Sequence, residues 1–153
     1  MKVMSWNIRG LGRPHTVNRL KNKLRAINPH ILFLMETKLN SKRMERVRVK
    51  CGFDNGIGID AVGSKGGLSL GWKENGLIRL KSYSSFHIDV EVQDVDCGEI
   101  WHLTGFYGHP EERYQVQSWN LLWMLDGLRE SEGDFYQPIF GKGWTEVLRR
   151  LLG

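Results

Sequence analysis

The sequence predicts a single mixed α/β domain, and three observations support this prediction. The chain has 153 residues, which is enough for one core and too few for two ordinary domains. Its first third shows a strand, helix, strand pattern, which is typical of parallel strands joined by a right-handed crossover. Further along, alternating apolar and polar residues predict an antiparallel hairpin. The composition, 41% hydrophobic and 25% charged, argues against a disordered chain, a collagen or a coiled coil.

The crossover unit begins at the N-terminus. Residues 2–8 mix apolar and polar types as a strand covered on both faces would. After a turn, residues 15–27 carry apolar side chains at helical spacing and basic ones elsewhere, which predicts an amphipathic helix. Asn28 and Pro29 end it, and the run Ile31–Met35 predicts a buried strand. No apolar run in the chain is longer than these five residues, which are too few to span a membrane.

The middle of the chain predicts a second helix and several strands. Residues 40–50 form a basic helical stretch with Met44, Val47 and Val49 as its apolar contacts, and residues 68–72 are the clearest of several short β-type pieces. Apolar side chains at alternate positions of residues 86–93 predict a strand with one face in water, paired with a strand at 100–107.

The last third predicts a helix, a short apolar segment and a second helix. A proline followed by two glutamates suits the start of a helix over residues 110–128. The apolar segment covers residues 135–140, and the last helix is predicted over 145–152.

The charge is unevenly distributed. Residues 1–50 contain 13 lysines and arginines and two acids, for a net charge of +11, whereas the remaining residues carry −6, which gives +5 in total. Clustered cations favour a polyanionic partner such as nucleic acid, although a solvated basic helix face explains the charge equally well. Neither Cys51 nor Cys97 has the spacing of a zinc site, and there is no secretory signal, so we expect a reducing intracellular compartment.

Two polar residues follow the strands of the crossover unit. Asn7 ends the first strand and Glu36 directly follows the second, so both side chains would lie at the carboxyl edge of the sheet, where ligand sites form. A carboxylate and an amide oxygen suit Mg²⁺, which binds through one or two carboxylates and keeps several waters. From spacing alone, a solvated strand end for Glu36 and a turn for Asn7 are the commoner roles.

Tyr107 and His109 flank a glycine at the end of a later strand. A tyrosine hydroxyl can bind a phosphate and a histidine can transfer a proton, but a tyrosine at a hairpin end more often contributes packing.

The same segments resemble a known family. The segments MSWNIRGLG, NPHILFLMETKL, GGLSLGW, LTGFYGHPE and SWNLL look like the endonuclease/exonuclease/phosphatase family, and most like the apurinic-type endonuclease domain of plant non-LTR (LINE) retrotransposons. The resemblance implies a four-layered α/β sandwich and Mg²⁺-dependent cleavage of phosphodiester bonds in DNA. It further implies that Glu36 binds the metal, that Asn7 supports the metal and phosphate site, and that Tyr107 contacts the scissile phosphate.

The resemblance runs from residue 2 to about residue 133. Asp134 matches the aspartate of the family's GDFN motif, but Tyr136 stands where the asparagine is expected, and no SDH motif follows. We therefore expect the N-terminal half of the domain over 1–133, an incomplete four-layered sandwich, and a divergent tail over 134–153. The expected consequences are inactivity, an exposed apolar sheet face between residues 86 and 106, and self-association through it.

Two other functions remain open. The chain could be a non-catalytic basic module that binds nucleic acid, or a pseudogene remnant with no selected function. The first alternative rests on basic residues of the two predicted helices: Arg19, Lys21, Lys23, Arg25, Lys42, Arg43, Arg46 and Arg48. The resemblance places the protein inside the cell, with the nucleus as one candidate location.

Overall fold

The fold is described from a computed structural model, over residues 3–63, 65–93, 98, 100–107 and 136–140. The chain divides into two compact units, Met1–Asn75 and Gly76–Gly153, and each is described by itself. The helices predicted over 110–128 and 145–152 lie outside the described residues, as do Cys97, His109 and Asp134.

The first unit is a four-stranded sheet with two helices. Its elements are β1 (Val3–Asn7), α1 (Pro14–Ile27), β2 (Ile31–Met35), α2 (Ser41–Lys50), β3 (Asn55–Ile59) and β4 (Leu68–Trp72). The strand order is β1-β2-β4-β3, with β1 parallel to β2 and the other pairs antiparallel. The predicted crossover unit is therefore confirmed.

Local signals explain where both helices begin and end. Pro14 occupies the first turn of α1, where its missing N–H costs no hydrogen bond, and Asn28 caps the other end in the left-handed conformation with its N–H bonded to the Leu24 carbonyl. At α2, the Asn40 side chain accepts a 2.9 Å hydrogen bond from the Arg43 N–H.

The core of the first unit lies between its sheet and its helices. Leu20 and Leu24 of α1 belong to one buried cluster with Leu32 and Leu34 of β2. The other buried members of this cluster are Ile8, Leu11, Leu39, Met44 and Phe53.

Two details of the first unit differ from the sequence prediction. β1 is an edge strand in which residues 4–7 are partly buried and Val3 is 36% exposed, so its two faces are covered less completely than predicted; β2, with a neighbour on each side, is buried throughout. Val49 is 48% exposed, whereas Met44 is buried and Val47 packs against the core.

Arg48 corrects a third expectation, that it belongs to a nucleic-acid-binding surface. Its side chain is buried against β3 and β4, where it donates a 2.7 Å hydrogen bond to the Phe53 carbonyl. Gly56 and Gly71 make room for it, because a Cβ at either position would meet the Arg48 side chain. Arg48 is thus a structural residue of the α2 packing.

The second unit contains one described sheet. Its strands are β5 (Ile78–Ser84), β6 (His87–Gln93), β7 (Ile100–Phe106) and β8 (Tyr136–Phe140), in the order β5-β6-β7-β8. β6 and β7 pair antiparallel, which confirms the predicted hairpin. β8 pairs parallel to β7, so five residues of the segment predicted as a tail belong to this sheet.

The face of β6 expected to lie in water is largely buried. His87 and Asp89 are 3% and 2% exposed. Ser84 Oγ lies 2.5 Å from His87 Nδ1, and Thr104 Oγ1 donates a 2.8 Å hydrogen bond to Asp89 Oδ1. These partners offset the cost of burying polar groups, which an alternating pattern cannot reveal.

The apolar face of β6 is buried as well. Ile88, Val90 and Val92 are each no more than 1% exposed, and so is Leu103 of β7. The expectation of an exposed apolar sheet between residues 86 and 106 is therefore wrong for these residues. Their burial removes the basis for self-association through them.

Candidate functional site

Asn7 and Glu36 lie at the same edge of the first sheet. Asn7 is the last residue of β1 and is paired in register with Met35, the last residue of β2. The Ile8 N–H donates a 3.0 Å hydrogen bond to the Met35 carbonyl, and Glu36 is the next residue. The parallel pairing thus brings the two predicted site residues to neighbouring positions, as the sequence led us to expect.

The loop that carries Glu36 is held on two sides by backbone hydrogen bonds. On the β1 side, Gly10 N–H donates to the Glu36 carbonyl at 2.7 Å and Leu11 N–H donates to the Thr37 carbonyl at 3.0 Å. On the other side, Thr37 and Lys38 donate to Gly67 and Gly66 at 3.1 and 2.9 Å. The position of Glu36 is therefore determined by three segments of chain.

This edge also concentrates strained backbone. Arg9, Glu36 and Lys38 have φ values of 53°, 52° and 56°, in the left-handed region that residues other than glycine rarely adopt. The fourth such residue among those described, Asn28, is the helix cap noted above. Each such conformation costs about 1 kcal/mol or more and persists where the surrounding structure enforces it, most often at functional sites.

The donor atoms at this edge fit a hard divalent cation. Asn7 Oδ1 is buried and has no hydrogen-bond partner among the described residues. An unpaired buried acceptor is costly, and a cation would satisfy it. Glu36, half-buried, supplies a carboxylate. One carboxylate and one amide oxygen suit Mg²⁺, which binds few carboxylates and keeps its waters. In the described ranges no three His, Cys, Asp or Glu side chains cluster as a metal-binding group.

Of the other predicted site residues, the structure describes Tyr107 but not Asp134. Tyr107 follows β7 in the second unit; it is 8% exposed, and its N–H donates a 2.9 Å hydrogen bond to the Phe86 carbonyl. Asp134 lies outside the described residues.

Sequence reasoning missed two features of this region. The left-handed conformations at Arg9, Glu36 and Lys38 have no signature in residue type, because asparagine and glycine are the usual signals for this backbone. The buried Ser5 Oγ, two residues before Asn7 on the same face of β1 and also without a partner in the described part of the chain, could have been found from strand alternation.

A family model matches most of the chain. The model of the endonuclease/exonuclease/phosphatase family matches residues 4–138. The chain belongs to this family. The matched range contains Asn7, Glu36 and Tyr107. Among curated proteins, no sequence matches the chain.

Solved structures of this family's fold resemble the chain. The human Nocturnin catalytic domain, solved with a bound sulfate anion, matches at a TM-score of 0.67 and 14% identity, over 92% of this chain and 62% of that one. The Xenopus laevis APE2 catalytic domain matches at 0.67 and 16%, over 92% and 57%. A Neisseria 3′ phosphatase, NExo, bound to a product DNA hairpin, matches at 0.66 and 16%, over 92% and 56%.

These similarities establish the fold, a mixed α/β architecture with two sheets. The chain spans less than two thirds of the length of each of the three structures. No helix in the described ranges is long and apolar enough to cross a membrane.

Proposed function

We propose that the first sheet carries part of the active site of a Mg²⁺-dependent DNA endonuclease domain of retrotransposon origin. The observation that carries this proposal is that Glu36 lies beside Asn7 at one strained sheet edge of a family member, where the buried Asn7 Oδ1 has no hydrogen-bond partner among the described residues. The DNA hairpin in the NExo complex supports DNA as the substrate class.

Each residue has a defined chemical role in this proposal. Glu36 and Asn7 would hold Mg²⁺ through one carboxylate and one amide oxygen, together with waters. The chemistry that a cation held there would supply is neutralisation of charge on the scissile phosphate and its leaving oxygen. The Tyr107 hydroxyl would donate a hydrogen bond to a phosphate oxygen, and Asp134 would orient the attacking water, as the matched motifs imply.

We further propose that the 153 residues alone do not cleave DNA. The sequence contains no SDH motif, and Tyr136 replaces the asparagine of the GDFN motif, so residues that complete the family's site are missing from it. The proportion of the related structures that the chain covers supports this view of a truncated domain, with residues 134–153 as a divergent segment.

Plasmid nicking combined with metal binding tests both parts. In Mg²⁺, the chain should leave supercoiled plasmid intact, whereas Mn²⁺ should still bind near Glu36 and broaden NMR signals there. The variant Glu36→Gln should lose that broadening and Glu45→Gln, an exposed glutamate of α2, should keep it. If the chain nicks the plasmid and Glu36→Gln does not, the proposed inactivity is wrong and the Asn7–Glu36 metal site is supported. If both variants bind Mn²⁺ equally, that metal site is refuted.

A non-catalytic nucleic-acid-binding role is the second candidate, favoured by the exposed cations on both helices. Of the eight basic residues predicted for it, Arg48 is buried and Lys21 is half-buried, while the other six are exposed. This role predicts steep salt dependence, no need for metal, and full binding by Glu36→Gln.

A further inference from the structure

A basic groove lies at the end of the first sheet opposite Glu36. Its volume is about 250 Å³, and it is lined by the last turns of both helices and by the residue after β4. Two lining residues fix its place at this end of the sheet. Asn28 precedes β2, and Lys73 follows Trp72, which pairs with Ile31 at the start of β2. Because β2 has five residues at about 3.3 Å each, roughly 16 Å of strand separates the groove from the Asn7–Glu36 edge.

The groove is lined by four cations and no acid: Lys21, Arg25, Lys50 and Lys73. In the described part of the chain, none of the four forms an ion pair with a carboxylate. Asp54 and Glu74, adjacent in sequence to lining residues, do not line it. The groove therefore holds cations that the described residues leave uncompensated.

Helix dipoles do not account for this charge. Arg25 and Lys50 lie in the last turns of α1 and α2, where basic residues favour the partial negative charge of the helix end. Each helix end contributes about −0.5 charge, so the two ends offset about one of the four cations. A net charge of about +3 remains by this reckoning.

One of the cations is already positioned within the groove. Lys73 Nζ donates a 2.8 Å hydrogen bond to Asn28 Oδ1 and lies 5.3 Å from the centre of the Phe53 ring. An anion entering the groove would meet an ammonium group whose position is partly fixed, which reduces the entropy lost on binding.

We propose that this groove binds backbone phosphates of a nucleic-acid strand, at a site separate from the Asn7–Glu36 edge. The volume admits a phosphate group together with several waters, at about 30 Å³ each. Arg25, Lys50 and Lys73 are exposed and distributed around an open groove, which suits the spaced charges of a strand better than one small anion. The proposal does not depend on metal or on catalysis.

Salt-dependent binding of a short labelled DNA duplex, measured by fluorescence anisotropy in EDTA, tests the proposal. The variant Lys50→Gln/Lys73→Gln removes two groove cations. The matched control, Arg79→Gln/Lys81→Gln, removes two exposed cations of β5, which neither line the groove nor belong to the basic residues of the two helices. Each lost phosphate contact lowers the slope of log Kd against log salt by about 0.9.

We expect the groove variant to lower that slope by about 1.8 and to raise Kd, and the control to leave the slope unchanged. An equal decrease in both variants would overturn the proposal in favour of a diffuse basic surface. Unchanged binding in the groove variant would also overturn it. A second experiment titrates each protein with inorganic phosphate. If the groove variant loses phosphate binding but binds the duplex as the wild type does, the groove binds small phosphates, and the proposal of a nucleic-acid strand is refuted.

Discussion

Replacing Arg48 by methionine should destabilise the protein without changing its affinity for nucleic acid. The methionine side chain would keep most of the aliphatic packing but would leave the Phe53 carbonyl without the 2.7 Å hydrogen bond that Arg48 donates. An unsatisfied buried acceptor costs about 1–3 kcal/mol. The ion pair with Glu45 adds little, because its atoms are 3.8 Å apart and the glutamate side chain is 67% exposed.

The expected loss for Arg48→Met is therefore about 2 kcal/mol in the free energy of unfolding, measured by urea denaturation. Arg46→Met, at an exposed arginine two residues earlier on α2, should change stability by less than about 0.5 kcal/mol. Arg48→Ala should lose more stability than Arg48→Met, because the aliphatic packing that methionine keeps is also lost, at about 0.8 kcal/mol for each of two buried methylenes. Equal stabilities of the Arg46→Met and Arg48→Met variants, or a flatter salt dependence of DNA binding in Arg48→Met, would refute the structural role.

Three further predictions concern other parts of the chain. Burial lowers the pKa of His87, although the negative charge of Asp89 opposes this shift. The stability that neutral His87 contributes is therefore present above the unfolded pKa of about 6.5 and is lost as the pH falls through the folded pKa. Urea unfolding midpoints measured against pH should show this loss in the wild type and not in His87→Gln. Gly56→Ala should reduce stability, because the new Cβ would lie 2.7 Å from the Leu70 carbonyl oxygen and against Arg48, whereas Gly12→Ala, with no atom within 4 Å, should be nearly neutral by the same assay. Asn40→Ala should cost about 1 kcal/mol by removing the cap of α2, and retention of full stability would show that the Arg43 N–H bond contributes nothing.

The parts of the fold that could be predicted from the sequence are those with strong local signals. Apolar residues at helical spacing predict α1, Asn28 and Pro29 predict its end, and the run Ile31–Met35 predicts β2. The crossover between the strands follows from chain handedness. β3 and β5 are harder to predict. Gly56 and Gly58 weaken the strand pattern of β3, and apolar and polar residues alternate over only half of β5.

Burial was the property that sequence patterns predicted least well. The alternating pattern placed His87 and Asp89 on a wet strand face, yet they are buried in a hydrogen-bonded network whose partners lie on β5 and β7. Arg48 was predicted as a surface cation for the same reason, because its partner, a backbone carbonyl five residues away, has no sequence signature. Long-range partners determine burial, and a local pattern does not contain them.

The candidate site was predicted in position but not in conformation. Asn7 and Glu36 follow from strand ends and parallel pairing, whereas the left-handed backbone at Arg9, Glu36 and Lys38 occurs where the Glu36 loop is hydrogen-bonded to two other chain segments. The packing of α2 onto glycines likewise depends on contacts between distant residues.

Paramagnetic broadening by Mn²⁺ most directly tests whether the Asn7–Glu36 edge is a metal site. In amide NMR spectra of the chain, we expect broadening to centre on residues 7–10 and 36–38 and to be lost in Glu36→Gln and weakened in Asn7→Ala. Broadening centred elsewhere, or unchanged by both substitutions, would contradict the site on which the proposed function rests.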